Sequence, residues 1–294
     1  MKHSPIQTQA YQTLKPKSSH PTLDKFTVHI SGRLNLRVYS DHRPNNLEIA
    51  ELQKGLIFEY YGVERLGEGT GFGFPVVMTS NETYFSGTAQ LQTFKNEDTV
   101  IIRKVFIMDR VARNKLRNAR LENPRMRTLI DALSNAYQKY RRLRSPILTL
   151  KKIPLRIGIQ TAFVNATPIG KVTLTYRIRK EYIKVKSDFN LPQEEIRSLF
   201  MLNEQGSEFF NTYEDSNGTR LFGDQIGAWD RVNADWARIS NATNGIGFQV
   251  KNEPQSVLRR GRETQQNTLD WIGLDYEVER GRKSFEYEIK ITGV

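Results

Sequence analysis

The chain has 294 residues, no cysteine and a formal net charge of +12 at pH 7, with 38% hydrophobic and 26% charged residues. The absence of Cys excludes disulfides, thiolate nucleophiles and Cys-ligated zinc. No apolar run approaches the roughly 18 residues of a spanning helix, so a soluble, cytoplasmic protein without a membrane partner is expected.

The charge is local. Residues 103–180 carry 20 Lys and Arg against 3 acids, residues 1–102 carry 10 and 10, and residues 181–294 carry 14 against 19. One sign packed into a quarter of the chain suits an anionic partner. The four histidines (His3, His20, His29 and His42) all precede residue 43. Metalloprotease spacing is absent, and catalysis beyond residue 42 would rest on carboxylates, Tyr, Lys, Arg or Ser/Thr. No cofactor and no metal is expected.

In chain order, residues 1–24 read as a polar tail. From Lys25, Phe26, Val28 and Ile30 and then Leu34, Leu36 and Val38 alternate with polar residues, the period-2 signature of half-buried strands joined at Gly32. Residues 56–61 make another strand. The run Gly67-x-Gly69-x-Gly71 has the look of a phosphate loop, but Pro75 and Val76 follow it where a helix should start. Glycines spaced by two in a strand suit a bulge or close packing under an aromatic ring. Residues 80–82 are a turn, 83–85 start the return strand, and 100–108 form a strong strand.

The texture then becomes helical. Asn123-Pro124 reads as a cap and first position. Met126, Leu129, Ile130, Leu133, Tyr137 and Tyr140 share one helical face, and 110–122 is a second, weaker helix candidate. A helical insertion at about 110–144 is therefore expected. Strands resume at 147–150, 155–164, 172–179 and 182–186. Pro192 to Leu202 reads as a short helix with acids in its first turn. Asn217-Gly218 marks a hairpin, 236–240 and 246–250 form another, and 285–291 close the chain as a strand with Glu286, Glu288 and Lys290 outward. The fold class expected is mainly β: a large antiparallel β-sandwich, one domain over 25–294, with a helical insertion.

Two groups of residues carry candidate chemistry. Arg141, Arg142 and Arg144 end the long helix, and Arg177 and Arg179 share a strand face with Thr173 and Thr175. They form either a solvated face or an anion-binding one, for nucleic acid or for the carboxylates of an acidic polysaccharide. Asp224, Trp229, Asp230, Asp235 and Trp236 lie within 13 residues. Trp faces stack on sugar C–H surfaces while carboxylates accept hydroxyl hydrogen bonds; alternatively Trp236 is core and the aspartates begin turns. Trp271 beside Asp270 carries the same ambiguity. Trp229, in a loop beside Gly227, is the better binder, and Trp236, inside an alternating strand, the structural one.

Residues 229–250, with Trp236 leading a strand, a turn at 241–245 and Gly247-Phe248 returning, together with 276–291 and its Gly281, resemble the galactose mutarotase-like β-supersandwich group. That group covers sugar epimerases and sandwich domains of polysaccharide lyases and glycosidases. The resemblance implies a supersandwich fold and carbohydrate as ligand. Mutarotases use a His and Glu pair, and this region has no His, so that activity is not implied.

The function expected is binding, or processing, of an acidic carbohydrate through Trp229, Asp224, Asp230, Arg177, Arg179, Arg141, Arg142 and Arg144. If the protein is an enzyme, β-elimination from a uronate without imidazole is one course. The alternatives are a nucleic-acid-associated protein, or an assembly protein whose basic face meets the acidic C-terminal third of another copy as a homo-oligomer.

Overall fold

The computed structural model describes residues 25–40, 52–95, 98–116, 159–227, 229–265 and 269–293. The chain divides into two compact units, one of residues 1–110 and 166–294 and one of residues 111–165.

The first unit begins with β1 (Lys25–Ser31), β2 (Leu34–Tyr39), β3 (Ile57–Tyr60) and β4 (Val63–Glu64), a four-stranded antiparallel sheet in chain order. Leu34, Leu36 and Val38 are fully buried, as their alternation requires. Next come β5 (Gly71–Thr79), β6 (Thr83–Lys95) and β7 (Val100–Leu116). β8 (Ile159–Asn165) pairs with β7. Then follow β9 (Lys171–Arg179), β10 (Tyr182–Asn190), β11 (Ile196–Gln205), β12 (Thr212–Asp215) and β13 (Arg220–Phe222). A 3-10 turn at Gly223–Ile226 leads to β14 (Asp230–Arg231), β15 (Trp236–Ser240), β16 (Gly247–Lys251), β17 (Ser256–Gln265), β18 (Leu269–Val278) and β19 (Ser284–Thr292).

These strands form one continuous sheet path, β13-β12-β15-β16-β19-β10-β9-β7-β6-β5-β11-β18-β17-β14. The path folds back on itself. Phe72 of β5 meets Phe248 of β16 edge-to-face at 4.9 Å, and Tyr276 of β18 meets Tyr287 of β19 at 4.8 Å. Tyr176 of β9 donates its hydroxyl to the Phe72 carbonyl at 2.8 Å. Strands far apart along the path are thus packed face to face around an aromatic core, the layering of a β-sandwich.

Two expectations are corrected. Residues 110–116, assigned to a helix, continue strand β7, and among the described residues there is no α-helix, so the helical insertion is unsupported. The 124–144 helix lies outside the described residues. Pro192 to Leu202 is also not a helix: β11 begins at Ile196 and is hydrogen-bonded on both edges, to β5 and to β18. A register shift between Ile196 and Ser198 puts Ile196 and Leu199 on the same face at a spacing of three. That spacing imitates a helix in the sequence, and the two flanking strands override the local preference.

The glycine-rich run is structural. Gly71 and Gly73 take φ of +82° and +81° beside a second register shift at Leu202/Asn203. A Cβ on Gly73 would lie 2.8 Å from the Tyr176 hydroxyl. Among the described residues no helix is long and apolar enough to cross a membrane.

Candidate functional site

The inward face of β11 and β18 carries Asn203, Ile272, Leu274 and Tyr276. The outward face has a different character, set by cross-strand register. Glu204 of β11 is paired with Gly273 of β18, and Gly273 with Gly261 of β17. One row away, Asp275 is paired with Arg259, and Arg259 with Arg231 of β14. In the other direction Trp271 is paired with Glu263. Strand alternation puts Trp271, Gly273 and Asp275 on the same face.

Gly273 is therefore a bare floor position ringed by side chains. A Cβ there would lie 2.9 Å from Glu204 Cγ and 3.2 Å from Asp275 Oδ1. The far wall is aromatic. The Trp229 indole lies over Gly261, where a Cβ would come within 2.7 Å of its Cδ2. It stacks on Trp271 with centroids 4.8 Å apart and planes at 15°. A Trp in a loop can take this place because Gly261 has no side chain to hold it off the sheet.

The two carboxyls are 6% and 2% exposed at Glu204 and Asp275. One Glu204 oxygen accepts from the Thr70 backbone N–H at 3.2 Å and from its hydroxyl at 2.9 Å. One Asp275 oxygen accepts from the Asn203 backbone N–H at 2.7 Å. Among the described residues no donor reaches the second oxygen of either carboxyl. Burial pushes the Glu204 carboxyl up to about 7 against the opposing Thr70 hydrogen bonds and Lys54 charge. Burial and the nearby Glu204 charge push Asp275 well above the usual carboxylate range. On the other side of Glu204, Lys54 donates to the Gly69 carbonyl at 3.1 Å, and burial lowers its amine to about 8. Glu68 is raised by burial, Lys54 opposing and Asp270 adding to the shift.

Two carboxyls with perturbed proton affinity, an ammonium and an aromatic wall around a bare floor can hold a polar ligand with an apolar face and exchange protons with it. Cations border the pit. Arg259 is tied to Glu277, with Nε at 3.0 Å, whereas Arg231 is exposed and has no ion-pair partner among the described residues. Among the described residues no group of three or more His, Asp or Glu could hold a metal ion.

The structure brings some of the sequence candidates together. Trp229 is in the pit wall, and Asp230 is the neighbour of Arg231 in β14, paired with Arg260. Asp224, in the 3-10 turn, pairs with Arg262 of β17 and leaves its carboxylate 90% exposed. Arg177 and Arg179 lie elsewhere, on the exposed face of β9, five strands along the path from β17. Their neighbours there include the ion pair Lys184–Glu286 at 2.7 Å. Arg141, Arg142 and Arg144 lie outside the described residues. Trp236 is half-buried in β15 opposite Lys251. Sequence reasoning missed Glu204, Asp275, Lys54 and Arg231. One signal was available: Trp271-x-Gly273-x-Asp275 at period 2 places a bare position between an indole and a carboxyl.

No family model matches the chain, and no curated protein matches it. Among solved structures, a galactose mutarotase-related enzyme from Lactobacillus acidophilus aligns over 91% of this chain and 97% of its own, at 6% identity and TM-score 0.38. A protein of Synechocystis sp. PCC 6803 aligns over 98% and 100%, at 9% and 0.38. An alpha-N-acetylgalactosaminidase from Bifidobacterium bifidum aligns over 90% of this chain at 8% and 0.46, and this chain spans only 36% of that protein's length. The likeness read from the C-terminal third is thus met by solved structures of the galactose mutarotase-like group, at a level that says nothing of activity or ligand.

Proposed function

We propose that the protein binds carbohydrate in the Gly273 pit, with a preference for acidic glycans. The observation that carries this reading is the Trp229 indole, laid over Gly261 beside a bare floor and facing two carboxyls. An aromatic face takes the C–H surface of a sugar ring, and carboxyl oxygens without donors take its hydroxyls. Preference for an acidic sugar follows from Arg231, a guanidinium at the rim with the fork geometry that carboxylates match. The β9–β10–β19 face is the weaker candidate for a polyanion, because Asp188, Glu286 and Glu288 are interspersed with its cations and reduce its field.

The test is calorimetric titration with glucuronate, mannuronate and galacturonate oligomers and with a neutral oligosaccharide of equal length. Acidic oligomers should bind more tightly, with affinity falling as salt rises. Trp229→Ala should weaken all of them, and Arg231→Met only the acidic ones. Equal affinity of Trp229→Ala and the parent would overturn the assignment of the site.

A further inference from the structure

We propose that the pit is catalytic: Glu204 and Asp275 act as a same-face acid and base in β-elimination of 4-linked uronates whose H5 and O4 lie on one side of the ring, the glucuronate and mannuronate type. This activity rests on the binding reading above and names its substrate class and chemistry.

Geometry selects the reaction. Both carboxyls rise from one face of one sheet, on adjacent strands, flanking Gly273. In most glycoside hydrolysis the two carboxyls approach the bond from opposite sides, which a pair on a single floor does not offer. A pair on one side can remove a proton and deliver a proton on one side of a sugar ring. Each carboxyl has one oxygen held by Thr70 or Asn203 and one oxygen left for a ligand. Burial and mutual repulsion keep a proton on the pair near neutrality, so one member is acid while the other is base.

In the step, the ionised carboxylate takes H5, and the C5–H electron pair becomes the C4–C5 double bond. The C4–O4 bond breaks with its pair on oxygen, and that oxygen takes the proton of the neutral carboxyl. The pair ends with its proton exchanged between members, and one transfer between them restores it. No oxidant, reductant or water is consumed. Arg231 neutralises the uronate carboxylate as negative charge builds on it. Trp229 holds the ring, and Gly273 gives it room.

Stereochemistry decides the substrate. In glucuronate and mannuronate, H5 and O4 are on the same side, within reach of one face. In galacturonate and guluronate they are on opposite sides, and a same-face pair cannot serve both.

The experiment incubates the intact protein separately with 1,4-linked polyglucuronate, polymannuronate and polygalacturonate. The conjugated double bond is followed by ultraviolet absorbance and its vinyl proton by NMR, with binding measured on the same samples. The expected result is unsaturated product from the first two polymers and none from the third. Glu204→Gln should lower turnover at least about 100-fold with affinity within about threefold. Binding without unsaturated product from any polymer would overturn the catalytic proposal and leave the binding reading standing. Absence of binding to all three would overturn both. Product from polygalacturonate alone would exclude the same-face pair. Should Glu204→Gln fail to fold, the discrimination among polymers by the parent protein still decides.

Discussion

Gly261 and Trp229 hold each other in place: the indole occupies the space where a β-carbon on Gly261 would stand, 2.7 Å from Cδ2. The backbone of Gly261 does not have positive φ, so alanine fits the strand but not the ring above it. Gly261→Ala is therefore expected to lift Trp229 off β17 and cost about 1–3 kcal/mol, the usual scale of overpacking. Thermal unfolding with tryptophan fluorescence checks it. Unchanged stability and an unchanged emission spectrum would show that the indole does not lie on the strand.

The two stacked tryptophans should separate in mutagenesis. Trp271 is 8% exposed, and Trp271→Ala should cost roughly 3–5 kcal/mol of folding. Trp229 is half-buried, so Trp229→Ala should lose the ring pair, about 0.5–1.5 kcal/mol, plus a smaller area term, and lose glycan affinity. Urea denaturation of both variants orders them. A larger loss for Trp229→Ala would reverse the roles of wall and support.

Acid titration should reveal Glu204. Burial raises its folded pKa to about 7, from 4.5 for the free group. Between those values the native protein holds a proton that the unfolded chain has released. Stability from this group is thus greatest below pH 4.5, falls as pH rises, and is level above about 7. Lys54, lowered to about 8 from 10.5, works the other way, its contribution rising from pH 8 to 10.5. Melting temperatures of the parent and Glu204→Gln between pH 4.5 and 7 test the first statement. The variant should show a shallower decline, and parallel profiles would mean that Glu204 does not titrate in this range.

Asn203 is the inward counterpart of the pit. Its Oδ1 accepts from the Gly73 backbone at 3.1 Å and from the Tyr287 hydroxyl at 2.9 Å, and its Nδ2 donates to the Leu274 carbonyl at 3.0 Å. Asn203→Leu leaves three buried polar groups without partners, at about 1–3 kcal/mol each, so a loss of more than about 3 kcal/mol is expected by equilibrium denaturation. Tyr287→Phe removes one of the three contacts and should cost distinctly less. Equal losses for the two variants would show that the network does not depend on Asn203.

The strand content was legible residue by residue. Leu34-x-Leu36-x-Val38, Val172 to Arg179 and Phe285 to Ile291 alternate because each strand has one face toward a core and one away. The hairpin at Asn217-Gly218 was legible because its turn chemistry is local: Gly218 takes φ of +81° between β12 and β13. Trp229 as a ring outside the core was also legible, from Gly227 and the polar loop around it. Period and turn residues act over a few positions, and a sequence displays them directly.

Only the tertiary structure decided the rest. Ile196 and Leu199 look helical in isolation and become a strand because β5 and β18 supply hydrogen bonds on both edges of β11. Glu204 reads as one more polar residue until Thr70, 134 positions away, binds its carboxyl and burial raises its proton affinity. Arg177 and Trp229 looked like parts of one binding set, and sheet order puts five strands between β9 and β17. Cross-strand register joins Glu204, Gly273 and Gly261 into a row. Register is a property of pairs of strands distant in sequence, so no local pattern in the chain encodes it.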